Sequence, residues 1–223
     1  MSKKIFISAT RTDVGKTYIS ALIIKKMRES GYNCGYYKPV LSGGNAQNGK
    51  IVESDVNYVI QSAKIPCVPE DCVSFWWREA VSPHLAAARA EQIIDPEKIK
   101  TDFTKISQNY DYLLVEGAGG ITCPLNLNVP AKYLLSDLIR ELNLSTIIVA
   151  DAGLGTINST LLTVEYARGN GIRVEGIILN NYDAQNFMHR DNRLQIEYLA
   201  GTPVIACVPA NATNIALLEK HFQ

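Results

Sequence analysis

The sequence predicts an α/β fold: a single domain over residues 1–223, built as a mostly parallel β-sheet flanked by helices. Three observations carry this expectation. Short runs that are apolar throughout recur along the chain, as strands buried on both faces require. Helix-period segments separate them, which is the alternation of a parallel sheet. No internal repeat, low-complexity linker or composition shift divides the 223 residues.

The elements follow in order. Lys4–Ala9 reads as a strand. Lys16–Glu29 reads as a helix with Ile19, Leu22, Ile23 and Met27 on one face, ended by Gly31. Cys34–Val40 is a second strand-like run, with Pro39 marking its exit. Ser54–Ala63 is helical, with Ser54 as N-cap. Val73–Trp77 is a short aromatic strand. Ser82-Pro83 opens an alanine-rich helix with proline at its first position. Pro96–Ile106 is a further helix, and Tyr112–Val115 an apolar strand running into Glu116-Gly117-Ala118-Gly119-Gly120. Ala131–Leu142 reads as a helix, Thr146–Ala150 as a strand, Thr156–Arg168 as a helix and Val174–Leu179 as a strand. A helix near Arg190–Leu199 and a strand at Val204–Val208 complete the alternation. The last stretch, Ile215–Phe222, is short and weakly amphipathic, a packed or frayed terminus.

Composition removes several functional classes. Lys+Arg and Asp+Glu are each 22, so the formal net charge is zero. That argues against a nucleic-acid partner gripped by bulk basic charge and against a polybasic membrane-surface protein. No run of about 18 apolar residues is present to cross a membrane. The apolar stretch at the start is too short for a signal peptide, and Arg11 and Asp13 break it. Five cysteines, an odd number with no Cys-x-x-Cys, suit reduced thiols in a cytoplasmic protein. Three scattered histidines suggest no metal cluster.

In such sheets ligands bind at the carboxyl ends of the strands. After the first strand, Ala9-Thr10-Arg11-Thr12-Asp13-Val14-Gly15-Lys16-Thr17 leads directly into a helix. Gly15-Lys16-Thr17 has the chemistry of a P-loop. Backbone N–H groups cradle phosphates, Lys16 reaches their oxygens, and the Thr17 hydroxyl can ligate Mg²⁺. The usual G-x-x-x-x-G-K-[ST] spacing fails, because Thr10 stands where the first glycine belongs, and a longer spacing puts Ala9 there. The plainer reading is a strand-to-helix turn capped by Thr12 or Asp13. A metal–nucleotide site also needs carboxylates at strand ends. Glu116 is best placed, Asp55 and Asp151 are further candidates, and capping or solvation is the alternative for each. Lys38 ends the second strand-like run. If that strand neighbours the first, Lys38 reaches the same rim as Lys16, and two ammonium groups suit a substrate more anionic than a nucleotide alone.

Taken together, these blocks resemble the dethiobiotin synthetase family over nearly the whole chain. The blocks are Thr10-x-Thr12-x-Val14-Gly15-Lys16-Thr17, Gly35-Tyr36-Tyr37-Lys38-Pro39-Val40-x-Ser42-Gly43, Ser54-Asp55, Ser82-Pro83-His84, Val115-Glu116-Gly117-Ala118-Gly119-Gly120 and Leu154-Gly155-x-Ile157-Asn158. The resemblance implies a P-loop fold and a ring-closing ligase of biotin synthesis. Such an enzyme converts 7,8-diaminononanoate, CO₂ and MgATP to dethiobiotin, ADP and phosphate through a carbamate and a carbamic–phosphoric anhydride. It implies catalytic roles for Lys38, Lys16 and Thr12, and Mg²⁺ on Thr17, Asp55 and Glu116. Nucleotide contacts are implied for residues 13–18 (Asp13, Val14, Gly15, Lys16, Thr17, Tyr18), for Asp55, Glu116, Gly117, Ala118 and Gly119, for Asn180 and Asn181, and for Pro209, Ala210 and Asn211. Thr12 and Ser42 match positions contacting the diamine or carbamate. Gly155, Thr156, Ile157 and Asn158 match an anion site for the substrate carboxylate that serves the other subunit, so a homodimer is implied.

The chain departs from the family in three places. Ala9 replaces a glycine, Arg11 replaces an acidic residue and either adds positive charge near the phosphates or, as expected here, faces solvent, and little chain follows Asn211 to grip a nucleobase. Weak base discrimination is therefore expected, with other nucleoside triphosphates accepted beside ATP. No clear equivalent of a substrate-facing tyrosine stands near residues 186–192. Two other classes remain as alternatives. One is a deviant P-loop switch ATPase with a regulatory or positioning role. The other is an amide-forming synthase, which needs a glutaminase domain for which this length leaves no room.

Overall fold

A computed structural model describes residues 3–127 and 132–216. Its elements in chain order are β1 (Lys3–Ala9), α1 (Lys16–Glu29), β2 (Cys34–Ser42), β3 (Asn45–Gln47), β4 (Lys50–Glu53), α2 (Asp55–Ala63), β5 (Val73–Trp77), α3 (Pro83–Arg89), α4 (Pro96–Ser107), β6 (Tyr112–Glu116), β7 (Pro124–Asn126), β8 (Tyr133–Leu134), α5 (Leu135–Glu141), β9 (Ser145–Asp151), α6 (Thr156–Gly169), β10 (Val174–Asn180), α7 (Phe187–Ala200) and β11 (Val204–Val208). Among the described residues the main sheet has seven strands in the order β11-β10-β9-β1-β6-β2-β5. Every pairing within it is parallel.

Period-two alternation divides β1 between two cores. Ile5, Ile7 and Ala9 face the layer of α1 and α2, against Ile19, Ile23, Ile24 and Val59. Phe6 faces the other layer, with Val115, Leu135, Leu138, Ile139 and Phe103. A third cluster joins β9 and β10 to α6 and α7 through Ile148, Ile177, Val164 and Ile196. Burying each such side chain stabilises by about 1.5–3 kcal/mol, so the sheet's central strands are its rigid platform.

Two expectations change, and one element is added. Pro39 does not end β2, which continues to Ser42. Its pairing with β6 stops at Tyr37, and the register with β5 passes from Lys38 to Val40, so the missing N–H of Pro39 leaves no ladder bond open. The helix expected over 131–142 begins only at Leu135, because Tyr133 and Leu134 pair with β7; Ala131 lies outside the described residues. The β3–β4 hairpin was not foreseen, although Asn48-Gly49 between the strands is the two-residue hairpin signal, with φ of 52° and 77°. Ser54 does cap α2, its hydroxyl accepting from the Asn57 N–H at 3.3 Å. Of the terminal stretch Ile215–Phe222, Ile215 is buried in the α1 core, and residues 217–223 lie outside the described residues.

Candidate active site

The loop from β1 to α1 makes its turn at Asp13 and Gly15, with φ of 62° and 93°. Gly15 stands at the N-cap of α1, so the first N–H groups of the helix open toward the strand ends. Ala9 is the last residue of β1 and extended, so the missing glycine costs no strain there. The Asn180 side chain, at the end of β10, supports the loop from beneath. Its Nδ2 donates to the Val14 carbonyl at 2.9 Å. A Cβ on Gly15 would stand 2.3 Å from the same nitrogen. The Oδ1 of Asn180 is buried without a partner among the described residues.

Glu116 organises the charges. It is wholly buried at the end of β6, and each of its oxygens is used. Oε1 accepts from the Thr17 hydroxyl at 2.8 Å and from Lys38 Nζ at 2.8 Å. Oε2 accepts from the Tyr36 hydroxyl at 3.0 Å. Lys38 Nζ also donates to Asp55 Oδ2 at 2.5 Å. Lys38 reaches this place although β6 lies between β2 and β1, so the neighbouring-strand condition does not hold. The register supplies the alternative. Tyr37 is level with Val115, and Glu116 is level with Ile7, so Lys38 and Glu116 leave the sheet side by side.

Burial and charge set the protonation of these groups. Burial alone would push the Lys38 ammonium down, but Glu116 and Asp55 outweigh it and hold its pKa above the ordinary lysine value. Burial would raise the Asp55 carboxyl, and Lys38 outweighs that, holding it below the ordinary range. Lys16 is different: burial dominates and lowers its pKa, with Glu116 only partly offsetting the loss of solvation.

A cavity of about 610 Å³ opens over this cluster. Of the residues singled out in the sequence, Thr12, Asp13, Gly15, Lys16, Thr17, Lys38, Ser42, Asp55, Gly117, Ala118 and Gly119 line it. Several others stand elsewhere. Val14 and Asn180 lie behind the loop. Asn181 donates to Asp151 Oδ2 at 2.9 Å, and Asp151 Oδ1 accepts from the Gly153 N–H at 2.8 Å, so Asp151 holds its own loop. The Tyr18 hydroxyl bonds the Ala212 carbonyl, and Lys25 Nζ bonds that of Thr213 at 3.1 Å, strapping the chain just after Pro209, Ala210 and Asn211 onto α1. Gly155, Thr156, Ile157 and Asn158 are absent from the cavity wall, and Leu154 beside them is 92% exposed. Arg11 is exposed.

Sequence reasoning missed part of the wall. Ala80, Val81, Ser82 and Pro83 form one side, between β5 and α3. Ser82-Pro83 carries a helix-start signal and belongs to one of the family blocks, but neither reading assigns it a place in the site. Cys123 lies near Lys16 in the cavity, and burial pushes its thiol up to about 11. Tyr36 belongs to a strand and to one of the family blocks, yet nothing local shows that its hydroxyl reaches a carboxylate 80 residues away.

Comparison with known proteins gives three results. The family model described as an AAA domain matches residues 3–215. Two Clostridium botulinum proteins named ATP-dependent dethiobiotin synthetase BioD are similar to the chain. That of strain Alaska E43 is 48% identical over 207 residues, covering 93% of this chain and 91% of the relative. That of strain Okra is 46% identical over 224 residues, covering 100% and 98%. Among solved structures, the MinC:MinD cell division complex of Aquifex aeolicus matches with TM-score 0.56 and 16% identity, covering 93% of this chain and 81% of that one. A ParA family ATPase of Chlorobium tepidum matches with TM-score 0.56 and 15% identity, covering 94% and 85%. These last two share the fold alone, a P-loop α/β sheet. Identity near one half along almost the whole of both chains settles more than the fold: the chain belongs to the ATP-dependent dethiobiotin synthetase family.

Proposed function

We propose that this chain, as one synthetase domain acting in the cytoplasm, closes the ureido ring of dethiobiotin at the cavity over Glu116. One amine of 7,8-diaminononanoate adds to CO₂ and loses a proton, giving a carbamate. A carbamate oxygen attacks the γ-phosphorus of ATP, and ADP leaves. The second amine attacks the carbonyl carbon of the anhydride, phosphate leaves, the attacking nitrogen sheds a proton and the ring closes. The observation that carries this reading is Lys38, a buried ammonium held between Asp55 and Glu116 on the rim of a phosphate loop.

The residues divide the work by charge. Lys38, with its pKa raised, stays cationic through the cycle, so its role is electrostatic: it faces the carbamate and the charge spreading over the transferred phosphoryl oxygens. Lys16 is buried with its pKa lowered, and a triphosphate supplies the counter-charge that its burial withholds. Thr12 and Ser42 line the cavity as hydroxyl donors for the diamine or carbamate. The unpartnered Asn180 Oδ1 suits the amino group of adenine, and the 209–211 segment is the other candidate contact of the base, with other nucleoside triphosphates accepted beside ATP. Thr17, Asp55 and Glu116 bring one hydroxyl and two carboxylates together, a hard oxygen set of the kind Mg²⁺ takes beside phosphates. When bound there, Mg²⁺ supplies charge neutralisation at the phosphate oxygens.

The 154–158 loop supports a homodimer. Its N–H groups open α6, where an anion is favoured, yet it lies off its own cavity. A second copy would bring it to the site.

The test is phosphate release with the diamine and bicarbonate added or omitted, in wild type and Lys38→Ala. Release is expected to require both additions, and to fall by a factor on the order of 10²–10³ in the variant. Hydrolysis indifferent to the diamine would instead favour a switch ATPase. Full ring closure by Lys38→Ala would remove Lys38 from the chemistry.

A further inference from the structure

We propose that Cys67 and Cys72 form a reversible dithiol–disulfide site, oxidised by a small peroxide entering a second cavity on the far side of β2 from the P-loop strand. The two cysteines are five residues apart and escape a search for Cys-x-x-Cys. The fold brings them together. A short 3₁₀ turn over Pro69–Cys72 leads from α2 into β5 and folds the second sulfur back on the first. The Asp71 N–H donates to the Val68 carbonyl at 3.1 Å, and that of Cys67 to the Ile65 carbonyl at 2.9 Å, so the backbone holds both ends of the turn. The sulfurs stand 3.1 Å apart. A disulfide needs them at about 2.05 Å, an approach of roughly 1 Å that side-chain rotation can supply.

The pair is asymmetric in the way that peroxide chemistry uses. Cys67 is half-buried and lines a cavity of about 600 Å³ with Pro66, Glu70, Asp71 and Tyr110. Cys72 borders the same cavity but is the more deeply buried of the two, 3% exposed. The S–H of Cys72 stabilises a thiolate on Cys67 and holds that thiol below its ordinary value, while the same bond and burial push Cys72 up. The thiolate is the nucleophile. Cys67 therefore attacks first and Cys72 resolves. The Cys67 thiolate takes one peroxide oxygen, the O–O bond breaks, and the other oxygen leaves as hydroxide that protonates to water. Cys67 is then a sulfenic acid. The Cys72 sulfur attacks the Cys67 sulfur, the S–O bond breaks, and the second water leaves with the Cys72 proton. Two thiols lose two electrons and one peroxide becomes two waters. A thiol reductant reverses the step by exchange. The other cysteines lack this arrangement: Cys34 is buried against Met27, and Cys123 belongs to the active-site cavity.

The test is covalent and does not depend on ligase activity. The full chain is treated with one equivalent of hydrogen peroxide, free thiols are alkylated, and the digest is mapped by mass spectrometry. The expected product is a peptide carrying residues 67–72 that has lost two hydrogens and no longer alkylates, restored by a phosphine reductant. Cys72→Ser should accumulate a dimedone-reactive sulfenic acid on Cys67, and Cys67→Ser should leave Cys72 a free thiol. The proposal is overturned if Cys67 and Cys72 in wild type alkylate after peroxide as they did before. A bond mapped to another pair, or sulfenic acid appearing on Cys72 and not Cys67, would overturn it equally.

Discussion

Glu116 is the residue on which the site turns, and its partners make separable predictions. It is fully buried as a hydrogen-bond acceptor, so each donor removed leaves an acceptor in a place water does not reach. Tyr36→Phe deletes only the hydroxyl that bonds Oε2, leaving Lys38 and Thr17 on Oε1. A bond to a charged group is worth about 1.5–3 kcal/mol, so thermal unfolding should report a loss of this size. Ring closure should slow severalfold with the diamine KM little changed, since Tyr36 positions the carboxylate and does not line the cavity. A change confined to KM would contradict that role. Asp55 makes a pH prediction. Its carboxyl is held below the ordinary range in the folded state, so its pairing with Lys38 stabilises fully above the unfolded value and is lost as pH falls through the depressed one. Lys38, raised in the folded state, contributes below the unfolded lysine value and loses this only as pH rises through its raised one, so it leaves the acid limb alone. Melting temperatures of wild type and Asp55→Asn should therefore differ most above about pH 5 and converge as pH falls below about 4. A constant difference down the acid limb would mean that the pairing contributes nothing.

At the scale of elements, the P-loop shows what sequence can and cannot convey. Strand, glycine-lysine-threonine and helix are local, and their chemistry was legible from residue types alone. The support beneath the loop was not, because it comes from β10, 166 residues from Val14 along the chain. Lys38 was legible as a strand-end lysine, yet the expected route to the rim was wrong, since strand order is a property of the whole sheet. The same reasoning explains the missed wall at Ala80–Pro83: it faces the cavity only because β5 ends the sheet beside β2. Gly15 tests the coupling between loop and support. Alanine there meets two costs, a φ of 93° that an L side chain resists by about 1–2 kcal/mol, and a Cβ 2.3 Å from Asn180 Nδ2. Gly15→Ala should weaken ATP binding at least about tenfold, a further 1.4 kcal/mol or more lost at the loop. Asn180→Ala removes the second cost and not the first. The double variant should therefore melt higher than the sum of the two single losses predicts, by on the order of 0.5–3 kcal/mol of coupling. Strict additivity would show that the loop does not rest on Asn180.

Over the whole molecule, the seven-stranded sheet brings together segments as distant as Thr17 and Glu116, and among the expected pieces that it leaves off the cavity wall is the loop opening α6. Gly155, Thr156, Ile157 and Asn158 begin α6 on the β9 side, off the wall of the cavity that Lys38 lines above Glu116. Leu154 and Leu162 on the same stretch are 92% and 64% exposed, as a surface covered by another chain would be. If each site borrows this loop from a second copy, two inactive variants should repair one another. Lys38→Ala damages the chemistry of its own cavity. Gly155→Val damages the loop, since Gly155 has φ 86°, a conformation a β-branched residue does not tolerate. In a mixed dimer, the cavity of the Gly155→Val chain keeps Lys38 and receives the intact loop of the Lys38→Ala chain, while the other cavity has both defects. Random pairing makes half the dimers mixed with one sound site in two, so co-expression should restore about a quarter of wild-type ring closure. If the loop instead served its own chain, every site would carry one defect and the mixture would stay as inactive as its parents. Equal amounts of separately purified variants, mixed after brief denaturation and refolding, give the same comparison. The sedimentation coefficient of the recovered fraction then ties the restored activity to a dimer.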